Sequence, residues 1–222
     1  MQKSEYNNNK GGDFMFQDEI MALFEKHIVL TNQEIRYNLR INQNQYAVLN
    51  TEIKRLCDKD LIRRVGRGVY TIVWNTRWGK VVPTEVEITN NFYMANGEGY
   101  MSGPAYYNAI GISTLIPNRK EITTNKYNYV LDGMTNIDIV RPRKTITNQN
   151  KLYLQLLDGM YYLSKNHCDV QNPLELFVKQ LRQLQLDEIT LILMAKKLYP
   201  KFVLDMVLEM EEVYHNDGTA FA

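Results

Sequence analysis

The chain is poor in cysteine, with only Cys57 and Cys168 among its 222 residues. The two lie far apart and lack the spacing of a metal-binding pair. No apolar run approaches the roughly 20 residues that a helix needs to cross a bilayer. Residues 1–12 are polar and rich in asparagine, without the apolar core of a signal peptide. We therefore expect a cytoplasmic protein with reduced thiols, no membrane partner and a frayed tail at residues 1–13.

Patterns typical of nucleophilic catalysis are also lacking. The three histidines are scattered along the chain, and no neighbouring serine, cysteine or acid suggests a triad. The most tempting group is His167-Cys168-Asp169. Adjacent side chains point about 100° apart on a helix and to opposite faces on a strand. They are therefore poorly placed for proton transfer to one another.

Acidic clusters and phosphate-binding loops give no stronger signal. The nearest approach to a metal-dependent nuclease is Asp132, Asp138 and Lys144, whose spacing matches no specific pattern. The glycines of Gly66-Arg67-Gly68 and Gly97-Glu98-Gly99 predict turns, because no Lys-Ser/Thr follows either of them. We therefore expect a protein that is not an enzyme and that binds neither metal nor cofactor.

What the sequence does contain is a series of three short helices followed by a basic hairpin, at residues 14–73. A first apolar stripe recurs at helical spacing and consists of Phe16, Ile20, Leu23 and Phe24. Thr31-Asn-Gln-Glu34 is a capping box that predicts the start of a second helix ending near Arg40. Residues 61–72 predict two strands, because the paired glycines Gly66 and Gly68 permit a tight turn.

The third helix is predicted to begin at Asn42 or Asn44 and to run through Asp58. Its inward face consists of Tyr46, Leu49, Ile53 and Leu56. The opposite face offers amides, hydroxyls and cations, which are the groups that read base edges and bind phosphate. The candidate DNA-binding residues are Gln45, Asn50, Thr51, Lys54 and Arg55 on this helix, and Arg64 and Arg67 on the hairpin.

Positive charge is concentrated in this part of the chain. From Lys26 to Lys80 there are 11 Lys and Arg against 4 Asp and Glu, a surplus of +7, whereas the whole chain has a net charge of +1. Such asymmetry is typical of a nucleic-acid-binding surface. The sequence thus predicts an α+β protein with a winged helix-turn-helix DNA-binding domain at residues 14–80. The alternative is that the same fold docks other proteins, with its arginines on an ordinary solvated face.

Residues 81–222 are predicted to form a second, α+β domain with a C-terminal helical layer at about residues 151–215. Residues 74–83 indicate a connector, and Thr84-Glu-Val-Glu87 predicts another helix start. Pro104 and Gly111 fit the two ends of a short helix. Short strands are expected at residues 121–124, 127–131 and 137–141. From Lys151 to Ala222 there are 7 Lys and Arg against 10 Asp and Glu, so this segment suits DNA poorly.

Several motifs in order resemble one known family. The hairpin ends in Gly68-Val-Tyr70, and four further motifs follow: Pro83-Thr-Glu85, Met101-Ser-Gly-Pro-Ala105, residues 108–117 (NAIGISTLIP) and Val140-Arg-Pro-Arg143. This series resembles the AbiEi family of type IV toxin-antitoxin antitoxins and related bacterial regulators, over about residues 20–158. Tyr106-Tyr107 departs from the small or aliphatic residues that many relatives carry.

The resemblance implies a transcriptional regulator that binds repeats in its own promoter through the winged helix. It also implies an antitoxin that opposes a nucleotidyltransferase-like toxin without a stable complex. Some relatives are stand-alone regulators, so a partner toxin does not follow from the sequence. The operator, the oligomeric state and the route of toxin neutralisation stay open.

Overall fold

The computed structural model describes residues 16–163, 165 and 168–219, with side chains as far as Glu212. The fold is mixed α+β. The chain divides into two compact units, with the boundary between Ile88 and Thr89. We call residues 16–88 the first unit and residues 89–219 the second unit. The predicted tail at residues 1–13 lies outside the described residues.

The first unit begins with three helices and a three-stranded antiparallel sheet. Its leading elements are α1 (Gln17–Lys26), β1 (Val29–Thr31), α2 (Asn32–Asn38), a 3₁₀ turn (Gln43–Gln45), α3 (Tyr46–Asp58), β2 (Ile62–Gly66) and β3 (Val69–Ile72). The strand order in the sheet is β1-β3-β2. The three predicted helices and the basic hairpin are present. Strand β1 was not predicted, because three residues are too few to establish an alternating pattern.

Local side-chain contacts explain where the helices begin. The Thr31 hydroxyl accepts a hydrogen bond from the Glu34 amide at 3.0 Å, and the Glu34 carboxylate accepts one from the Thr31 amide at 2.7 Å. The predicted capping box at α2 is therefore confirmed. Before α3, the Gln45 Oε1 accepts from the Asn42 amide at 3.0 Å. Asn42 therefore caps the 3₁₀ turn that precedes α3, whereas the N-cap of α3 itself is Gln45 and neither of the two predicted starting residues.

The apolar core of the first unit lies between the helices and the sheet. Leu49, Ile53 and Leu56 of α3 are fully buried, as their spacing predicted, whereas Tyr46 is half-buried. The main core members are Phe16, Ile20, Phe24, Leu30, Ile35, Ile41, Leu49, Ile53, Leu56, Ile62 and Ile72. This packing fixes which face of α3 remains exposed to solvent.

The predicted connector at residues 74–83 is wrong for most of its length, because the segment forms a second hairpin. Its strands are β4 (Trp74–Thr76) and β5 (Gly79–Val81), and Trp74 pairs with Val81. Gly79 has a φ of 111° at the turn, a conformation that favours glycine. Lys80 Nζ donates to the Lys59 carbonyl at 3.0 Å. This contact joins β5 to the residue after α3.

Helix α4 (Glu85–Thr89) starts at the predicted second capping box, in which Glu87 accepts from the Thr84 amide at 2.8 Å. A π-helical turn (Asn90–Met94) and a 3₁₀ turn (Ala95–Gly97) come next in the chain. None of the helices in the described part of the chain combines the length and the apolar character required to span a bilayer.

The second unit has a three-stranded sheet of order β6-β7-β8, in which β7 and β8 are parallel. Its strands are β6 (Gly99–Ser102), β7 (Lys120–Thr124) and β8 (Ile137–Val140). Helix α5 (Gly103–Ile110) has Pro104 in its first turn and Gly111 at φ 83° as its C-cap, as predicted. The strand predicted at residues 127–131 is wrong. Those residues form a turn, where Tyr129 N donates to the Lys126 carbonyl, and only Leu131 makes a bridge.

The C-terminal helices agree with the sequence pattern. They are α6 (Lys151–Tyr162), α7 (Pro173–Gln183), α8 (Glu188–Leu198) and α9 (Lys201–Thr219). Asp187 caps α8 by accepting from the Thr190 amide at 2.7 Å. Their shared core includes Leu156, Leu157, Met160, Phe177, Leu181, Leu191, Val203, Val207 and Met210. The four helices therefore pack as a layer within the second unit, together with α5.

Candidate nucleic-acid interface

The face of α3 opposite its buried stripe carries most of the predicted DNA-binding residues. Asn50, Thr51, Lys54 and Arg55 are exposed, and Gln45, just before α3, is half-buried. Because side chains three or four residues apart share one face of a helix, the exposed residues form a continuous strip. The structure therefore brings the helix residues together on one surface of the first unit.

The members of this strip differ in how their polar atoms are used. The Gln45 side-chain oxygen Oε1 accepts a hydrogen bond from the Asn42 backbone amide. Thr51 Oγ1 donates to the Ala47 carbonyl at 2.9 Å, within the helix. Within the described part of the chain, Lys54 has no hydrogen bond and no ion pair. Lys54 is thus the cation on α3 that is available to a ligand.

Arg55 has a structural partner that the sequence did not reveal. Its Nη1 lies 2.6 Å from Glu52 Oε1, and the Glu52 side chain is only 3% exposed. The other carboxylate oxygen of Glu52 accepts from Gln17 Nε2 at 2.6 Å. Lys59 Nζ donates to Gln17 Oε1 at 2.9 Å. This chain of contacts ties α1 to α3, so Arg55 stabilises the unit as well as facing solvent.

The hairpin presents the predicted arginines in two different states. Arg64 Nε donates to the Gly66 carbonyl at 3.1 Å, next to an irregularity in the β2–β3 register between Arg64 and Gly66. Arg67 is exposed at the turn and has no polar partner among the described residues. Gly68 follows with a φ of 69°, a conformation that favours glycine. The turn thus projects Arg67 into solvent.

Asn32, the first residue of α2, connects the hairpin turn to α3. Its backbone amide donates to the Gly68 carbonyl at 2.8 Å, and its Nδ2 donates to Asn50 Oδ1 at 3.2 Å. Sequence reasoning missed this residue, which occupied an unremarked position within the capping box. The position of the hairpin turn is therefore linked to the exposed strip of α3 through one side chain and one amide.

Arg36 is a second residue of α2 that sequence reasoning missed. Its guanidinium lies over the Tyr46 ring, 4.0 Å from the ring centroid. Asn32 and Arg36 are four residues apart on α2, and Tyr46 and Asn50 are four apart on α3. The two pairs therefore form successive contacts between one face of each helix.

Most acidic side chains between Lys26 and Lys80 already have a hydrogen-bond or ion-pair partner. Glu34 is held by Thr31, Glu52 by Arg55 and Gln17, and Asp60 Oδ2 lies 3.7 Å from Lys80 Nζ.

The thiol of Cys57 is partly buried on α3, and its pKa is raised by burial and then by Asp58. The thiol therefore stays protonated at neutral pH and adds no negative charge.

Residues considered for catalysis have other contacts. Arg119 Nε lies 2.9 Å from an Asp138 carboxylate oxygen and holds the pKa of that carboxyl below its usual range. Asp169 accepts from Thr114 Oγ1 at 2.7 Å and anchors a loop. His167 lies outside the described residues. Among the residues that the structure describes, no group of three His, Cys, Asp or Glu side chains is arranged to hold a metal ion.

No protein-family model matches this chain, and no curated protein matches it either. The candidate interface is therefore defined by the geometry of the first unit and by the sequence motifs. Within that geometry, an exposed strip on α3 lies in the same compact unit as an arginine-bearing turn, and Asn32 contacts both.

Proposed function

We propose that the first unit is a winged helix-turn-helix that binds double-stranded DNA, and that the protein regulates transcription from its own promoter. The observation that carries the proposal is the Asn32 junction, which links Asn50 on the exposed face of α3 to the turn that projects Arg67. The order of three helices and a β2–β3 hairpin supports it. The surplus of +7 between Lys26 and Lys80 supports it as well.

In this proposal α3 enters the major groove of the duplex. Asn50 and Thr51 carry groups that recognise base edges, and Lys54 supplies an unpaired ammonium group for guanine or phosphate. Arg64 and Arg67 on the hairpin contact the sugar-phosphate backbone beside that groove. Gln45 and Arg55 are weaker contact candidates, because the Gln45 side-chain oxygen caps the 3₁₀ turn before α3 and the Arg55 guanidinium pairs with the buried carboxylate of Glu52.

We further propose, from the family resemblance, that the protein is an antitoxin of a type IV toxin-antitoxin system. The motifs from Met101 to Arg143 support this proposal, which implies a functional partner resembling a nucleotidyltransferase. Coexpression with the product of a neighbouring nucleotidyltransferase-like gene tests it. Restored growth of toxin-expressing cells is the expected result, and unrelieved toxicity contradicts the antitoxin role.

A second candidate function, protein docking, is favoured by one surface of the second unit. Ile189 and Leu193 are 68% and 60% exposed and lie four residues apart on α8. Exposed apolar pairs on one helix face are typical of protein contacts. In this alternative the chain acts by binding another protein, and its basic residues form an ordinary solvated surface.

The experiment that separates these candidates is a titration of the purified full chain with a fluorescein-labelled duplex from its own upstream region. A scrambled duplex serves as competitor, and the titration is repeated at two salt concentrations. Tight binding that resists the competitor and weakens steeply with salt is expected of a specific DNA-binding protein. Binding no better than that of the scrambled duplex contradicts the proposed function.

Two variants examine the contacts themselves. Lys54→Ala should weaken binding by about threefold to tenfold, since one charged contact is lost. Arg67→Ala should weaken binding to many sequences alike and reduce the salt slope by about one. Lys201→Ala is the matched control, because it removes one exposed positive charge from the second unit. Equal affinities for all four proteins would contradict the assigned interface.

A further inference from the structure

We propose that the β4–β5 hairpin is a second DNA contact, in which Trp78 and Arg77 lie against the sugar-phosphate backbone of the duplex that α3 holds. The inference rests on the proposed function and adds a contact that lies on neither α3 nor the β2–β3 hairpin. Five observations on the first unit support it.

The first observation is the exposure of a large aromatic side chain at a hairpin turn. Trp78 is 82% exposed, although the other tryptophan, Trp74, packs on the apolar core of the first unit. Large aromatic side chains supply much of the contact area at interfaces. An indole left in solvent on a short hairpin is therefore better explained by a ligand than by folding.

The second observation is that a cation accompanies this ring. The Arg77 guanidinium lies 4.6 Å from the centroid of the Trp78 ring. Within the described residues, Arg77 has no carboxylate partner. Arginine and the indole N–H are both hydrogen-bond donors without an acceptor group of their own. A ligand that meets both must therefore offer acceptor oxygens and negative charge.

The third observation is the ordered geometry of the turn. Thr76 Oγ1 donates to the Gly79 carbonyl at 2.8 Å and accepts from the Trp78 amide at 3.2 Å. Gly79 has a φ of 111°. These contacts hold the backbone around Trp78 in one conformation, so less entropy is lost when a ligand is bound.

The fourth observation is the attachment of the hairpin to the C-terminal end of α3. Lys80 Nζ donates to the Lys59 carbonyl, and Val73 N donates to the Leu61 carbonyl at 3.0 Å. The β2–β3 turn is instead attached to Asn32 at the start of α2. The β4–β5 hairpin is therefore attached after the C-terminal end of α3, and the β2–β3 hairpin is attached at the start of α2.

The fifth observation is the charge of the surroundings, which decides the chemical class of the ligand. The segment from Lys26 to Lys80 has a surplus of +7, and Arg77 and Lys80 belong to it. Phosphate oxygens combine the negative charge and the acceptor groups that this turn requires. The same duplex that occupies α3 supplies such oxygens. We therefore assign the ligand as duplex backbone.

The test uses Trp78 as its own reporter. In full-length Trp74→Phe, Trp78 is the sole tryptophan. Upstream duplex is added while Trp78 emission and its quenching by iodide are followed, with the anisotropy of labelled duplex measured in parallel. We expect emission to change, and iodide quenching to fall, over the same concentration range as the anisotropy rise.

Affinity measurements provide a second and independent readout. Arg77→Ala and Trp78→Ala should each weaken duplex binding by about threefold to tenfold, and Arg77→Ala should lower the salt slope by about one. Val86→Ala, which trims another exposed apolar residue of the first unit, should leave affinity unchanged. If Trp74→Phe fails to fold, Trp78→Phe compared with the parent chain gives the Trp78 signal by difference.

The outcomes separate this inference from the proposed function. Duplex binding with unchanged Trp78 emission and full affinity in Arg77→Ala overturns the inference and leaves the proposed function standing. Absence of duplex binding overturns both. A change in Trp78 emission with protein concentration alone identifies a protein contact and overturns the inference. Stronger Trp78 protection by the single strand than by the duplex also overturns it, because the bases would then be the ligand.

Discussion

Asn32 Nδ2 donates a hydrogen bond to Asn50 Oδ1 at 3.2 Å, between the first residue of α2 and the exposed face of α3. The backbone amide of the same Asn32 donates to the Gly68 carbonyl. An alanine at this position would keep the second contact and lose the first. The pair therefore allows the orientation of Asn50 to be tested apart from the position of the hairpin.

We expect Asn32→Ala to weaken duplex binding through Asn50. The single variants Asn32→Ala and Asn50→Ala should each reduce affinity, and the double variant should lose less than their sum. A coupling of about 0.5 to 1 kcal/mol is typical of residues in direct contact. Affinity of the four proteins for upstream duplex measures it. Strictly additive losses would show that Asn32 does not position Asn50.

Arg55 and Lys54 should differ in their effect on stability. Arg55→Ala removes the partner of buried Glu52 and should lower the free energy of unfolding by about 1 to 2 kcal/mol, a range reduced for the partial exposure of Arg55. Lys54→Ala should change it by less than about 0.5 kcal/mol. Urea unfolding followed by circular dichroism measures both. Adding Glu52→Gln to Arg55→Ala should restore part of the loss, and no recovery would contradict the role given to the ion pair.

Gly159→Ala should destabilise the second unit, although alanine is the better helix former. A Cβ there would lie 2.8 Å from Tyr106 Cε1 and 3.0 Å from Phe177 Cε1. Overpacking of this kind costs about 1 to 3 kcal/mol, which exceeds the gain of about 0.5 to 1 kcal/mol from removing a helical glycine. Thermal unfolding measures the loss. In combination with Phe177→Leu the loss should be less than additive, because one of the two rings that crowd the Cβ is gone.

Stability should fall above pH about 10, where tyrosines ionise in an unfolded chain. Tyr100 and Tyr199 donate to Asp158 at 2.6 and 2.7 Å, and burial, followed by the charge of Asp158, raises the pKa of both phenols. Burial also raises the pKa of Tyr93 to about 12. A group whose pKa is higher in the folded than in the unfolded protein stabilises the native state at pH values below its unfolded-state pKa. This contribution is lost as the pH rises through the folded-state pKa of the group.

Tyr100→Phe tests this expectation. The free energy of unfolding, measured from about one pH unit below to about one pH unit above the ordinary tyrosine pKa of about 10, should decline less steeply in this variant than in the parent chain. Tyr37→Phe, which alters an exposed tyrosine of α2, should leave the slope unchanged. Equal slopes in all three proteins would contradict the coupling between these buried phenols and folding.

Local rules predicted the elements whose causes lie within a few residues. The two Thr-x-x-Glu capping boxes and the glycine end of α5 were confirmed because each depends on neighbours three or four positions away. The candidate strip on α3 was located by the same rule, since burial of one stripe leaves the other face exposed. Its binding to DNA stays a prediction.

Two elements that were missed have partners far away in the chain. Strand β1 exists because it pairs with β3, and the β4–β5 hairpin is attached through Lys80 to the end of α3. The strand predicted at residues 127–131 had suitable side chains, but Lys126 and Tyr129 close a turn there. Propensity within a short segment could not distinguish these outcomes.

The sequence by itself determined where most helices begin, which faces of them are apolar and where positive charge accumulates, because these properties depend on spacing along the chain. Only the tertiary structure decided how individual polar groups are used. Asn32 meets Asn50 across 18 positions, Gln17 meets Glu52 across 35, and Tyr100 meets Asp158 across 58. Such pairs form only when packing of the apolar core brings distant segments together, and no local spacing encodes them.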